Sequence, residues 1–100
     1  MPDWSVMKEF RERLDQVDEN IIKLFAERYA IRRDIYEFKK KHALPVVDPK
    51  RVDEVIERAK HNAVANNVPV DFAEALYQLV IDYSHRFEME KGEHHDRTAI

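Results

Sequence analysis

The sequence predicts an all-α protein with three helices per chain and a very long first helix, assembled as an intertwined, domain-swapped homodimer. Three observations lead there. From Phe10 the apolar residues recur at steps of three and four, which is the period of an amphipathic helix or a coiled-coil seam. No glycine or proline interrupts residues 5–41. The resulting rod is also too long for the remaining sixty or so residues to cover.

The first helix carries Phe10, Leu14, Val17, Ile21 and Leu24, then Ile31, Ile35 and Phe38, on its apolar stripe. With Ser5 as its cap it runs about 35 residues, or about 52 Å at 1.5 Å per residue. A compact domain of this size has a radius of gyration of about 13 Å, so a second copy of the chain is needed to bury the stripe. The helix should end before Leu44-Pro45, because the residue before a proline is pushed out of the helical region. Asp48 then caps a second helix over 49–66, with Pro49 at its first position and Val52, Val55, Ile56, Ala59 and Ala63 on one face. Asn66-Asn67-Val68-Pro69 reads as a loop. Asp71 caps a third helix that directs Phe72, Leu76, Leu79, Val80, Tyr83 and Phe87 toward the core and fades near Lys91-Gly92. One helical domain over 1–92 and a flexible polar C-terminal tail over 93–100 complete the reading.

Composition removes several classes of function. The net charge of −3 is small beside 37% charged residues, so the global basic field of a nucleic-acid-binding protein is missing. The single glycine, Gly92, rules out phosphate loops and dinucleotide fingerprints, which need several. With no cysteine there is neither a disulfide framework nor a thiolate nucleophile or ligand. No apolar run approaches the roughly 20 residues of a membrane span. The expectation is a cytoplasmic protein with no nucleic-acid or membrane partner and no cofactor.

A few residues break the helical pattern. Between Leu24 and Ile31 the stripe falls on Arg28, placing a guanidinium where a leucine would fit. An interhelical ion pair or a snorkelling side chain would explain Arg28 alone. Lys39, eleven residues on, projects from nearly the same face, however, and two inward cations point to an anionic ligand. Arg11, seventeen residues before Arg28, points about 100° away and would face a different partner or site. On the third helix the stripe Tyr77, Ile81 continues into the polar Ser84 and Glu88, which either emerge into solvent or face the same ligand. His42, His61 and His85 have no metal-ligand spacing, and His94-His95 fall in the tail; no metal site is predicted.

Taken together, Phe10-Arg11-Glu12-Arg13-Leu14, Val17-Asp18, Leu24-Phe25-Ala26-Glu27-Arg28, Lys39, Leu44 through Arg51, and Ser84 with Glu88 resemble the all-helical chorismate mutase family. The resemblance covers about residues 5–90, and the joint spacing of Arg11, Arg28, Lys39, Asp48, Arg51 and Ser84 makes it specific. In that family each long first helix crosses into the other protomer. The resemblance implies that Arg28 binds one substrate carboxylate from its own chain and Arg11 binds the other from the partner chain. It further implies that Lys39 hydrogen-bonds the ether oxygen, with Glu88 beside it, and that Asp48, Arg51 and Ser84 wall the ring. The implied reaction is the pericyclic rearrangement of chorismate to prephenate, which needs no nucleophile, metal or cofactor.

Two positions depart from the common bacterial pattern. Val52 stands where a glutamate usually contacts the ring hydroxyl, and Glu88 stands where glutamine is usual. The related isochorismate-pyruvate lyases carry an apolar residue at the first of these, whereas Asp48 and Ser84 are mutase-like. Mutase is therefore the leading expectation, with the lyase and a mutase of the 4-amino analogue of chorismate as alternatives. A non-catalytic helical regulatory or interaction dimer is the alternative of another class. An ionised Glu88 would repel the charge developing on the ether oxygen, so a hydrogen bond from it requires the protonated form.

Overall fold

In a computed structural model the backbone is described for residues 1–93 and the side chains through residue 86; the expected tail beyond Glu93 lies outside the described residues. The described chain is all α-helix and loop, in the order α1 (Ser5–Lys41), α2 (Pro49–Ala65) and α3 (Val70–Glu93). At 37 residues, α1 is about 55 Å long. The molecule measures 64 × 32 × 15 Å, with a radius of gyration of 17.7 Å, well above the roughly 13 Å of a compact domain of this length.

The helix boundaries follow local chemistry, with small departures from expectation. Ser5 is the first helical residue of α1 and not its cap. Asp3 ties down the helix start, its Oδ1 accepting from the Ser5 amide at 3.0 Å and from the Ser5 hydroxyl at 2.6 Å. At the other end Ala43 takes a left-handed conformation with φ 54°, and the Leu44 amide donates back to the Lys39 carbonyl at 2.8 Å. This Schellman-type turn ends the helix at Lys41, four residues before Pro45. Asp48 caps α2 as expected, accepting from the Arg51 amide at 3.4 Å, with Pro49 opening the helix. The exit from α2 repeats the first turn, with Asn67 at φ 57° and Val68 donating to the Ala63 carbonyl at 2.9 Å. Helix α3 begins at Val70, two residues earlier than a cap at Asp71 implies, so Asp71 sits inside the first turn, where its charge complements the helix dipole.

Packing is confined to one half of the rod. Helix α3 lies against α2 and, more sparsely, against α1, and the α1 and α2 backbones do not approach one another. The small core is built from Tyr36, Ala59, Ala63, Ala73 and Ile81, with Ser84 buried among them. On α2 the predicted face of Val52, Val55, Ile56, Ala59 and Ala63 does turn inward. On α3 only part of the predicted set does: Leu76 and Val80 are half-buried, whereas Phe72, Leu79 and Tyr83 are at least half exposed. Every residue of α1 before Phe25 is exposed. Phe10, Leu14, Val17, Ile21 and Leu24 keep between 43% and 64% of their surface, so within one chain the seam of α1 covers nothing and is covered by nothing. Among the described residues no helix is long and apolar enough to cross a membrane.

Candidate active site

Where the three helices converge, they enclose a cavity of about 220 Å³. Helix α1 contributes Arg28, Ile31, Arg32, Ile35 and Lys39, which are successive positions on one helical face. The α1–α2 connection supplies Val46 and the cap Asp48, α2 supplies Arg51, Val52 and Val55, and α3 supplies Ile81, Ser84 and His85. Among the described residues, aliphatic walls thus carry a concentrated polar lining: the cations Arg28, Arg32, Lys39 and Arg51 against the carboxylate of Asp48. Such a cavity is suited to an anion with an apolar body.

Hydrogen bonds hold these groups in place. Arg28 Nη1 donates to Ser84 Oγ at 3.0 Å, and Ser84 Oγ in turn donates to the Val80 carbonyl one turn back at 2.8 Å. That chain fixes one arm of the guanidinium and joins α1 to α3. Lys39 Nζ donates to the Val46 carbonyl at 2.6 Å, tying the end of α1 to the loop that leads into α2. Arg51 pairs with Glu54 at 3.5 Å on the exposed side of α2.

The electrostatics of the cavity are those of cations crowded together. Burial, and after it the charges of Arg28 and Arg51, lower the Arg32 pKa from the usual guanidinium value. Burial and Arg32 together lower that of Lys39, with Asp48 opposing. His85 is lowered by burial first, then by Arg32 and Lys39 from α1, against the opposing Asp82 on its own helix. The imidazole is therefore neutral at pH 7 and can both donate and accept. A proton-detected titration should place its midpoint below the free-histidine value of about 6.5. Because folding depresses this pKa, the unfolded chain binds the proton more readily, so His85 favours the fold above about pH 6.5 and opposes it as pH falls below that. A bound dianion should move the midpoint upward; a midpoint unmoved by any anion would place His85 off the ligand.

The structure brings Arg28, Lys39, Asp48, Arg51, Val52 and Ser84 around one cavity. Arg11 is not among them, being exposed on the outer half of α1, about 26 Å along the helix from Arg28. Glu88 lies one turn beyond Ser84 on α3, and its side chain falls outside the described residues. Two polar lining residues, Arg32 and His85, were not foreseen as site residues, nor were the aliphatic Ile31, Ile35, Val46, Val55 and Ile81. Arg32 had a signal, since it falls four residues after Arg28 and seven before Lys39, on the same helical face. His85 had none beyond its place next to Ser84.

The model of the family described as chorismate mutase type II matches residues 10–89. The chain belongs to that family. Among its relatives is the chorismate mutase of Methanocaldococcus jannaschii, 28% identical over 78 residues, a match spanning 78% of this chain and 79% of that protein. The bifunctional chorismate mutase/prephenate dehydratase of Buchnera aphidicola subsp. Schizaphis graminum is 30% identical over 84 residues, 84% of this chain. The T-protein of Enterobacter agglomerans is 29% identical over 82 residues, 82% of this chain. The chain spans 22% of each of these last two proteins. As a type II chorismate mutase the chain is an isomerase, and the stretch that carries the family likeness includes all thirteen residues lining its cavity.

Proposed function

We propose that the chain catalyses the rearrangement of chorismate to prephenate as an intertwined homodimer, with each active site completed by Arg11 of the other protomer. The observation that carries this reading is the cavity, where Arg28, Lys39, Asp48, Arg51 and Ser84 line one space between α1, α2 and α3. The exposed apolar seam of Phe10 to Leu24 supports the dimer. An antiparallel second α1 laid along that seam would bury it and carry the partner's α1 N-terminal half toward the cavity.

The reaction breaks one C–O bond as one C–C bond forms, within a single molecule, and no group is transferred to the enzyme. The enzyme must fold a flexible dicarboxylate into its reactive conformer and stabilise negative charge on the departing ether oxygen. Arg28, with one arm anchored on Ser84, offers its remaining donors to one carboxylate. Arg11 from the second chain takes the other, and the two forks fix the conformer. Lys39, anchored on the Val46 carbonyl, points positive charge and donors at the ether oxygen, where they act most strongly in the transition state. Ile35, Val52, Val55 and Ile81 supply the dry walls that strengthen these interactions.

Incubating the purified protein separately with chorismate and isochorismate, and identifying the products, tests the reading. Prephenate from chorismate is expected, with no salicylate or pyruvate from isochorismate. Salicylate and pyruvate from isochorismate would transfer the assignment to the lyase, consistent with Val52. No product from either would leave a non-catalytic dimer.

A further inference from the structure

Beside the cavity lies a second, more open groove of about 180 Å³, lined by Arg28, Arg51, Val55, Arg58, Asn62 and Tyr77. Arg51, Val55, Arg58 and Asn62 recur at steps of four, three and four, so one face of α2 runs along it. Of the α1 residues that line the cavity, only Arg28, the one nearest the exposed seam, also lines the groove. The groove therefore leads from the cavity toward the uncovered half of α1. Its neighbouring charges are paired, with one exception. Arg28 is held by Ser84, Arg51 by Glu54, and Lys60 takes both Glu57 and Glu74. Arg58 is exposed and has no ion pair or hydrogen bond among the described residues. The outer half of α1 shows the complementary imbalance. Glu12 pairs with Lys8 and Glu19 with Lys23, which leaves the exposed Asp15 and Asp18 without an ion pair among the described residues. They follow Arg11 by four and seven residues, so all three share one face of α1. Asp18 also lies one turn after Leu14, which puts that face along an edge of the apolar seam.

We propose that Arg58 is a positioning residue: it pairs with the partner's Asp18 across the dimer interface and so sets how far the partner's Arg11 reaches into the cavity. This rests on the intertwined dimer proposed above and specifies one of its contacts. Helix α2 runs from the cavity toward the seam, opposite to α1, and therefore in the same direction as an antiparallel partner α1. From the partner's Arg11 to the partner's Asp18 is seven residues, about 10 Å along the helix, and from Arg51 to Arg58 is likewise seven residues and about 10 Å. The partner's Arg11, entering beside Arg28 and Arg51, thus brings the partner's Asp18 level with Arg58. The partner's Asp15 falls between Arg51 and Arg58. A guanidinium and a carboxylate that each lack a partner within one chain then form a charge-assisted fork, which fixes the register of the two helices.

The test is a charge-swap cycle on the full chain, read by sedimentation and by chorismate kinetics. Arg58→Glu and Asp18→Arg each set like charges against one another and should raise the dimer dissociation constant at least about tenfold. The double variant should return to within about threefold of the parent. At concentrations where it is fully dimeric, Arg58→Gln should raise KM for chorismate several-fold, and Arg58→Lys, which keeps the charge, should not; a residue that only holds the dimer together would leave KM of the intact dimer alone. Losses that add in the double variant, or single variants that dissociate no more than the parent, would overturn the pairing and leave the dimer standing. An unchanged KM in dimeric Arg58→Gln would overturn the positioning role. If neither single variant folds, the double variant decides, a folded dimer supporting the pairing and an unfolded chain overturning it. A monomeric parent would overturn the dimer and the pairing together, whereas a dimer that shows the swap but converts no chorismate would overturn the mutase reading alone.

Discussion

Arg28→Ala should lower kcat/KM for chorismate by at least about a thousandfold, while the far-ultraviolet helical signal stays as in the parent. The guanidinium contributes a charge-assisted pair to a substrate carboxylate in a low-dielectric cavity, and single donors of that kind are worth about 10²–10³ in rate. Misplacing one end of a flexible substrate adds a further loss through orientation. The fold has little to lose. Removing Arg28 takes away one donor to Ser84, but Ser84 keeps its bond to the Val80 carbonyl at 2.8 Å. A single lost hydrogen bond costs about 1 kcal/mol, and relief of the repulsion that Arg28 exerts on Arg32 offsets part of it. Steady-state kinetics and circular dichroism on the same sample check both halves. Retention of a tenth or more of the activity would remove Arg28 from the chemistry.

The second large effect belongs to a residue far from the cavity. Leu14 is 63% exposed in the single chain, and a substitution at such a position ordinarily changes stability by less than about 0.5 kcal/mol. In the proposed dimer Leu14 is buried against the partner's α1. Leu14→Glu then forfeits about 1.5–3 kcal/mol of burial per chain, adds a desolvated carboxylate, and does so twice per dimer. The expected result is a protein that at micromolar concentration no longer sediments as a dimer and melts far below the parent, because folding and association are one equilibrium. An unchanged melt and sedimentation coefficient would mean that the seam of α1 stays open to water.

The contrast between these two positions shows what the residue pattern can and cannot convey. Periodicity identified the stripe of α1, its length and its misfit at Arg28, because each depends only on the 3.6-residue turn and on the absence of helix breakers. It could not say which chain covers which stretch. On α3 the same pattern pointed Phe72, Leu79 and Tyr83 toward a core, yet a single chain leaves all three exposed, the burial inside it being taken by Ala73, Ile81 and Ser84. Small and polar residues are weak hydropathy signals, so the face where α3 meets α1 and α2 was the least legible in the sequence. Boundaries set by backbone geometry were also hidden: Ala43 and Asn67 adopt left-handed turns that glycine would have announced. Within the site, Arg28 and Lys39 were readable from spacing, and Asp48 only as a helix cap. Arg32 was passed over because the apolar stripe was followed through Ile31, its neighbour about 100° away around the helix. His85 was passed over because a lone histidine carries no pattern.

The claim on which the account turns is that each site takes Arg28 from one protomer and Arg11 from the other, and one mixing experiment addresses it directly. Arg11→Ala and Arg28→Ala are each expected to be nearly inactive as homodimers. After subunit exchange, half of the dimers are mixed, and in each mixed dimer one of two sites holds both arginines. The mixture should therefore recover about a quarter of the parent activity. Recovery near that level, with exchange verified by differently tagged chains, is the result the account predicts; no recovery in a verified mixture would contradict it.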